Sequence, residues 1–293
     1  MRNSSKVGCF SSAGVVAGAL AGALALVTGV ATAAPGFTNG SLQGTYVFVG
    51  RGLSNGGQPN GPLVPTSRFG KAVFGGDGTC SISQGLYNLN SGLNGGVIAS
   101  LQSAAQGCTY SVNADGSGTV NLTFLSNIPA LSLSIFVVDN GNEVLFSSQT
   151  NGEMTNGESF FRKQGVQNFS NASLRGGWIW EGKGFGTFIP TEATGRFLFD
   201  GAGHCTFNGV NNTNGAFIFP VESEPDGCTY SVNSDGIGTI SVALEAYPGA
   251  PGATFALSVM FSTESELQCE TPTPATITSN KCWFRKQVNQ NPQ

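Results

Sequence analysis

The segment CTYSVNADGSGT, from Cys108 to Thr119, returns as CTYSVNSDGIGT from Cys228 to Thr239, and no other feature restricts the fold of this chain as strongly. The echo extends outward from it. SLQGTY at Ser41 to Tyr46 matches SLRGGW at Ser173 to Trp178, GKAVFGGDGTC at Gly70 to Cys80 matches GRFLFDGAGHC at Gly195 to Cys205, and FFRKQ ending at Gln164 matches WFRKQ ending at Gln287. Solenoid units are on the order of 20 to 50 residues long. These copies lie much farther apart, so each is expected to be a domain that closes its own core. The expected division is a leader over 1–33, a first unit over 34–165 and a second over 166–293, with a short linker near Gly165 to Asn171.

The leader rests on Arg2 and Lys6, then an uncharged stretch rich in Ala, Gly, Val and Leu from Val7, then Ala31-Thr32-Ala33. These are the three parts of a secretory signal with a small-residue cleavage site, and they place the mature chain outside the cytoplasm, secreted or periplasmic. A retained anchor is the competing reading, since an apolar run of about 18 residues can span a bilayer. No comparable run follows Pro35, so no membrane insertion is expected after cleavage. Charged residues make up 10 % of the chain and the net charge is −4, so there is no basic footprint for nucleic acid.

Of seven cysteines, Cys9 falls in the leader. The others support the same oxidising compartment. Cys80 and Cys108 occupy the same places in the first copy as Cys205 and Cys228 in the second, and equivalent positions should make equivalent bonds. The expected disulfides are therefore Cys80 to Cys108, Cys205 to Cys228, and the remaining Cys269 to Cys282. Close C-x-x-C pairs are missing, which argues against zinc, and no metal or cofactor is expected.

Strand signals dominate. Val120, Leu122 and Phe124 alternate with Thr119, Asn121 and Thr123, and Ile240, Val242 and Leu244 do the same in the second copy. Such period-two alternation belongs to antiparallel strands with one face buried. Asp77-Gly78, Asp115-Gly116, Asn140-Gly141 and Asp235-Gly236 supply tight turns between them. The first copy reads as strands near 45–51, 68–74, 79–86, 109–113, 119–125, 133–139, 143–149 and 159–163, with a shorter one near 97–101. The fold class is all-β: two tandem antiparallel up-and-down β-barrels of about eight strands each, with a β-sandwich as the alternative.

Each copy pairs an aromatic near its start with an arginine near its end: Gly176-Gly177-Trp178 with Arg285, and Gly44-Thr45-Tyr46 with Arg162. In this the chain resembles the calycin group, which includes the lipocalins, with a G-x-W motif on the first strand and an Arg on the last. The resemblance implies lipocalin-like barrels in which Tyr46 with Arg162, and Trp178 with Arg285, form barrel-closing pairs. It lacks the mid-chain T-D-Y pattern of lipocalins, and no helix follows the last strand.

Trp178 and Trp180, two residues apart, share one side of their strand, as do Tyr46 and Phe48. They are the candidate ligand-binding residues: they line a cavity for a small apolar ligand if the barrels are open, and form core if the barrels are solid. Catalytic candidates are weaker. His204 sits beside Cys205 in a hairpin with no oriented partner. Ser54 in Gly52-Leu-Ser54-Asn-Gly56 fits G-x-S-x-G, but that motif has meaning only between a strand and a helix. Asp139 to Glu143 offers oxygen ligands without the spacing of an EF-hand loop and already serves as a turn. Asn39, Asn168, Asn171 and Asn211 are formal glycosylation acceptors. The expected function is that of a secreted, non-enzymatic tandem-barrel protein binding a small apolar ligand. The alternative is an extracellular structural or surface-interaction protein with solid barrels, and a calycin-like isomerase or hydrolase ranks third.

Overall fold

Alternating apolar and polar residues punctuated by Asp-Gly turns leave a chain little besides antiparallel strands. In the computed structural model, residues 36–58, 60–89, 97–165, 168–186, 189–246, 252–271 and 278–287 are described. The expected leader lies outside the described residues. The first half supplies β1 (Gln43–Ser54), β2 (Val64–Gly75), β3 (Cys80–Leu89), β4 (Val97–Ser100), β5 (Ser103–Val112), β6 (Ser117–Phe124), β7 (Leu131–Val138), β8 (Glu143–Ser148) and β9 (Glu153–Lys163). The second supplies β10 (Arg175–Gly186), β11 (Ile189–Asp200), β12 (His204–Thr213), β13 (Phe217–Val232), β14 (Ile237–Leu244), β15 (Thr254–Thr263), β16 (Glu266–Glu270) and β17 (Thr278–Lys286).

Strands β10 to β17 form one closed eight-stranded barrel, with β17 returning to pair with β10. The first half does not close. Its nine strands run in the order β4-β3-β2-β1-β9-β8-β7-β6-β5, a curled open sheet. This overturns the expectation of two tandem lipocalin-like barrels.

The physical reason lies in one strand. In the barrel the 16-residue β13 ladders to β12 along its first part, to β14 along its second, and to both at Cys228 and Thr229. The matching stretch of the first half breaks at Leu101 and Gln102, so that β4 ladders to β3 and β5 to β6. At the break the Leu101 side chain is fully buried. Its N–H donates to Gly85 O at 2.9 Å, and Gln102 O accepts from Leu125 N at 2.9 Å. No ladder joins β3 to β5; they are tied by an isolated bridge between Thr79 and Thr109, the Cys80–Cys108 disulfide, and the Ile82 N–H, which donates to Ser103 Oγ at 3.0 Å. The other two disulfides, Cys205–Cys228 and Cys269–Cys282, also form the expected pairs.

Each half buries its own apolar core. In the open sheet Tyr46, Phe74, Tyr110, Val120, Ile135 and Phe161 point inward; in the barrel Trp178, Phe197, Tyr230, Ile240, Phe261 and Phe284 do. The matched CTYSV segments anchor the chain just before each first strand. Asn39 Oδ1 accepts Val112 N at 2.8 Å, and Asn171 Oδ1 accepts Val232 N at 2.8 Å. The Tyr110 hydroxyl lies 2.9 Å from Leu42 O, and that of Tyr230 3.4 Å from Leu174 O. Asn39 and Asn171 thus serve as backbone anchors. The turns that follow these segments need Gly: Gly116 and Gly236 stand at φ 85° and 84°, where a Cβ is strained.

From Gly36 onward the described residues belong to one compact unit. No helix among them is long and apolar enough to cross a membrane.

Candidate functional site

Two places combine buried charge with apolar surroundings. The first is one end of the open sheet's interior. Arg68 Nη2 lies 2.9 Å from Glu153 Oε2, the Ser54 hydroxyl donates to Glu153 Oε1 at 2.5 Å, and the Arg68 guanidinium sits 4.9 Å from the Tyr87 ring centroid. Beside them Phe48, Leu122, Leu133, Phe146 and Phe161 wall a pocket with room for about one water molecule. The barrel lacks this charge. Arg68 stands opposite Gly50, and the matching partner of Gly182 is Ala193.

The second place is the contact between the two sheets. Strands β1, β2 and β9 turn their outer face to the barrel, where Val47, Val49, Phe69 and Phe160 pack around Met260 of β15, with Ile237 against them. Polar groups frame this patch. Arg51 is 1 % exposed and donates through Nη2 to Cys269 O at 2.9 Å, with Cys282 O at 3.4 Å. Its remaining charge faces Glu158 at 3.8 Å. Burial pulls the Arg51 pKa down, opposed by Glu270 and Glu158, while burial pushes the Glu158 carboxyl up against the pull of Arg51. Lys71 Nζ donates to Asp235 O at 2.5 Å, and burial lowers its pKa, opposed by Asp235. Gln164 Nε2 donates to Phe261 O at 2.8 Å, and Arg162 bonds both Glu143 at 3.0 Å and Glu266.

The candidate ligand-binding aromatics all lie inside. Trp178 is fully buried, edge-on to Phe261. Trp180 packs against Phe197, Phe207, Phe255 and Phe284. Phe48 borders the pocket of the open sheet. Tyr46 is buried against Phe74 and donates its hydroxyl to Gly141 O at 2.6 Å; burial pushes its pKa up to about 12.

The supposed barrel-closing pairs are not made, which removes the calycin-like signature. Arg162 stands opposite Val47, and Arg285 opposite Ile179, one residue out of phase with Tyr46 and Trp178. In a strand that offset places a side chain on the other face. Both arginines lie outside, over Phe160 at 4.7 Å and over Trp283 at 4.8 Å. The cation nearest the Trp178 ring is instead Lys286, at 5.8 Å.

The remaining candidates have structural partners. The Ser54 hydroxyl is held by Glu153 as above and accepts Gly56 N at 2.9 Å. His204 opens β12, its N–H bonded to Asp200 Oδ1 at 3.1 Å. Asp139 and Asn140 sit at positive φ, in the turn from β7 to β8. Among the described residues no group of three or more His, Cys, Asp or Glu comes together to hold a metal. Sequence reasoning missed the charges at the sheet contact because Arg51, Lys71 and Arg162 alternate with buried residues as ordinary solvent-facing positions would.

Fold and contacts together define an all-β protein in which a closed eight-stranded barrel is clamped to the outer face of a curled nine-stranded sheet. No protein-family model matches the chain, and no curated protein matches its sequence.

Proposed function

We propose that this is an extracytoplasmic, non-enzymatic protein that works through the outer faces of its sheets, as an interaction module. The observation that carries the reading is the sheet contact itself. The barrel's outer wall already recognises a partner surface through a small apolar centre and a frame of charged and amide donors, the composition of a protein-binding patch. The interiors support it, since the aromatics that could line a cavity are packed against one another. The extracytoplasmic placement rests on the leader pattern and the three disulfides. The non-enzymatic reading rests on the Ser54 hydroxyl, which is held by Glu153 and by the Gly56 N–H.

A second reading places a small apolar ligand in the open sheet, favoured by the apolar wall that Phe48, Leu122, Phe146 and Phe161 present to the pocket beside Arg68. Titration with a lipophilic fluorescent probe separates the two. The outer-face reading expects no saturable uptake and a bare mass in native mass spectrometry; saturable uptake weakened by Phe146→Arg would replace it with the second.

A further inference from the structure

The two sheets meet through unlike faces, and each half carries a spare version of the face the other half uses. On the open sheet the contacting row is Lys71, Val47 and Arg162, Val47 being flanked in register by the two cations. On the barrel the same row reads Arg196, Ile179 and Arg285. Gln164 follows β9 and hydrogen-bonds Thr45 O through its N–H; Gln287 follows β17 and does the same to Gly177 O. Phe160 under Arg162 is answered by Trp283 under Arg285.

The opposing face repeats as well. On the barrel its row is Ile237, Met260 and Gln268, with Asp235 in the preceding turn and Glu266 opposite Arg285. On the open sheet the row is Ser117, Phe136 and Leu145, with Asp115 in the preceding turn and Glu143 opposite Arg162. Each polar partner of the internal contact therefore has a counterpart: Lys71 and Asp235 in Arg196 and Asp115, Arg162 and Glu266 in Arg285 and Glu143. Within one copy the charged counterparts already have partners: Arg196 donates to Gln287 Oε1 at 2.8 Å, Arg285 lies 3.7 Å from Glu266, and Glu143 accepts from Arg162 at 3.0 Å. Docking exchanges or shares these contacts, while the apolar knob faces solvent. Phe136 is 56 % exposed, Leu145 45 % exposed, and the Arg285 side chain 66 % exposed.

We propose that a second copy of this chain docks its Phe136 face onto the Ile179 face of the barrel, repeating the internal sheet contact between molecules. The proposal rests on the outer-face reading above. Phe136 takes the place of Met260 as the apolar knob, Arg285 reaches Glu143 of the second copy, and Arg196 reaches its Asp115. Because the faces differ, the contact is heterologous, and it propagates head to tail unless the rotation closes a ring. It is weaker than the internal contact. Glu181 and Thr194 stand where the open sheet has Val49 and Phe69, and the Glu181 carboxylate is held aside by Lys183 at 2.8 Å and Lys281 at 2.9 Å.

Sedimentation velocity of the purified full chain over a wide concentration range tests this, with two variants that each block one face. Phe136→Arg blocks the knob, and Arg285→Glu blocks the receiving face at an exposed position that leaves the barrel core untouched. The wild type should gain mass with concentration, each variant alone should remain a single chain, and an equimolar mixture should stop at a dimer, since each variant retains one working face. A wild type that stays a single chain at all concentrations, a variant that assembles like the wild type, or a mixture that forms no dimer would each overturn the proposal. Far-ultraviolet circular dichroism and thermal unfolding confirm that both variants are folded. Failure here without uptake of a lipophilic probe leaves the outer-face reading standing; saturable probe uptake removes that reading separately.

Discussion

Arg51 Nη2 of the open sheet donates to the carbonyl oxygen of Cys269 across 2.9 Å, so a fully buried guanidinium reads the backbone of a disulfide-linked strand in the barrel. Removing one partner of a buried charged hydrogen bond costs about 3 to 5 kcal/mol. Arg51→Ala is expected to lower stability by about 3 kcal/mol in urea unfolding. Glu158→Gln should cost less than about 1 kcal/mol, because that carboxylate sits 3.8 Å away and keeps some contact with water. Equal losses in the two variants would mean that the ion pair, not the carbonyls, holds Arg51.

The three disulfides enclose sequence separations of 28, 23 and 13 residues. Loop-closure entropy alone separates the largest from the smallest by less than about 1 kcal/mol, with the longest loop contributing most. Replacing Cys269 and Cys282 by Ser should nevertheless be the most damaging of the three double substitutions, since both residues also present carbonyls to Arg51. Denaturant midpoints of the three variants decide this, and a ranking that simply follows loop length would count against it.

Trp180 touches four other aromatic rings inside the barrel. Trp180→Ala leaves a cavity those rings cannot fill, and a loss of about 3 to 5 kcal/mol is expected. Trp178 and Trp180, at 0 % and 7 % exposure, should emit blue-shifted and resist iodide, leaving the outward Trp283 as the quenchable fraction, which Trp283→Phe should remove.

Tyr46 titrates near 12 in the folded chain, against an ordinary value of 10.0. Above the ordinary value the unfolded chain loses this proton while the folded chain keeps it, so the neutral phenol's stabilisation is complete below pH 10 and is lost as pH rises towards 12. Tyr46→Phe removes the bond to Gly141 O, costing about 1 kcal/mol at neutral pH. It should also flatten the decline in stability between pH 10 and 12, measured by denaturant unfolding across that range.

Strand positions and cysteine pairing were legible because both depend on local rules. Val120, Leu122 and Phe124 alternate, turns carry Gly where φ is positive, and matched cysteines face one another across β3 and β5 or β12 and β13. Closure was not legible, because it turns on whether the residues around Leu101 continue one ladder or change to another. The arginine and aromatic pairs misled for a related reason. Nearness in sequence to the ends of both strands suggested contact between Trp178 and Arg285, but contact requires the right parity as well, and register is set by the partner strand. The sheet contact stayed hidden because an outward Val47 between two cations looks the same whether it meets water or a second sheet.

A ring of strands has no outermost member, whereas the curled sheet ends in β4, four residues long and laddered on one side. Loss of β4 breaks one ladder; loss of any barrel strand breaks two. Local opening should therefore start at β4 and travel through β3 towards the Cys80–Cys108 link, where the covalent bond halts it. Hydrogen exchange will read this as a gradient of protection along the first half, against a barrel whose amides open together or not at all.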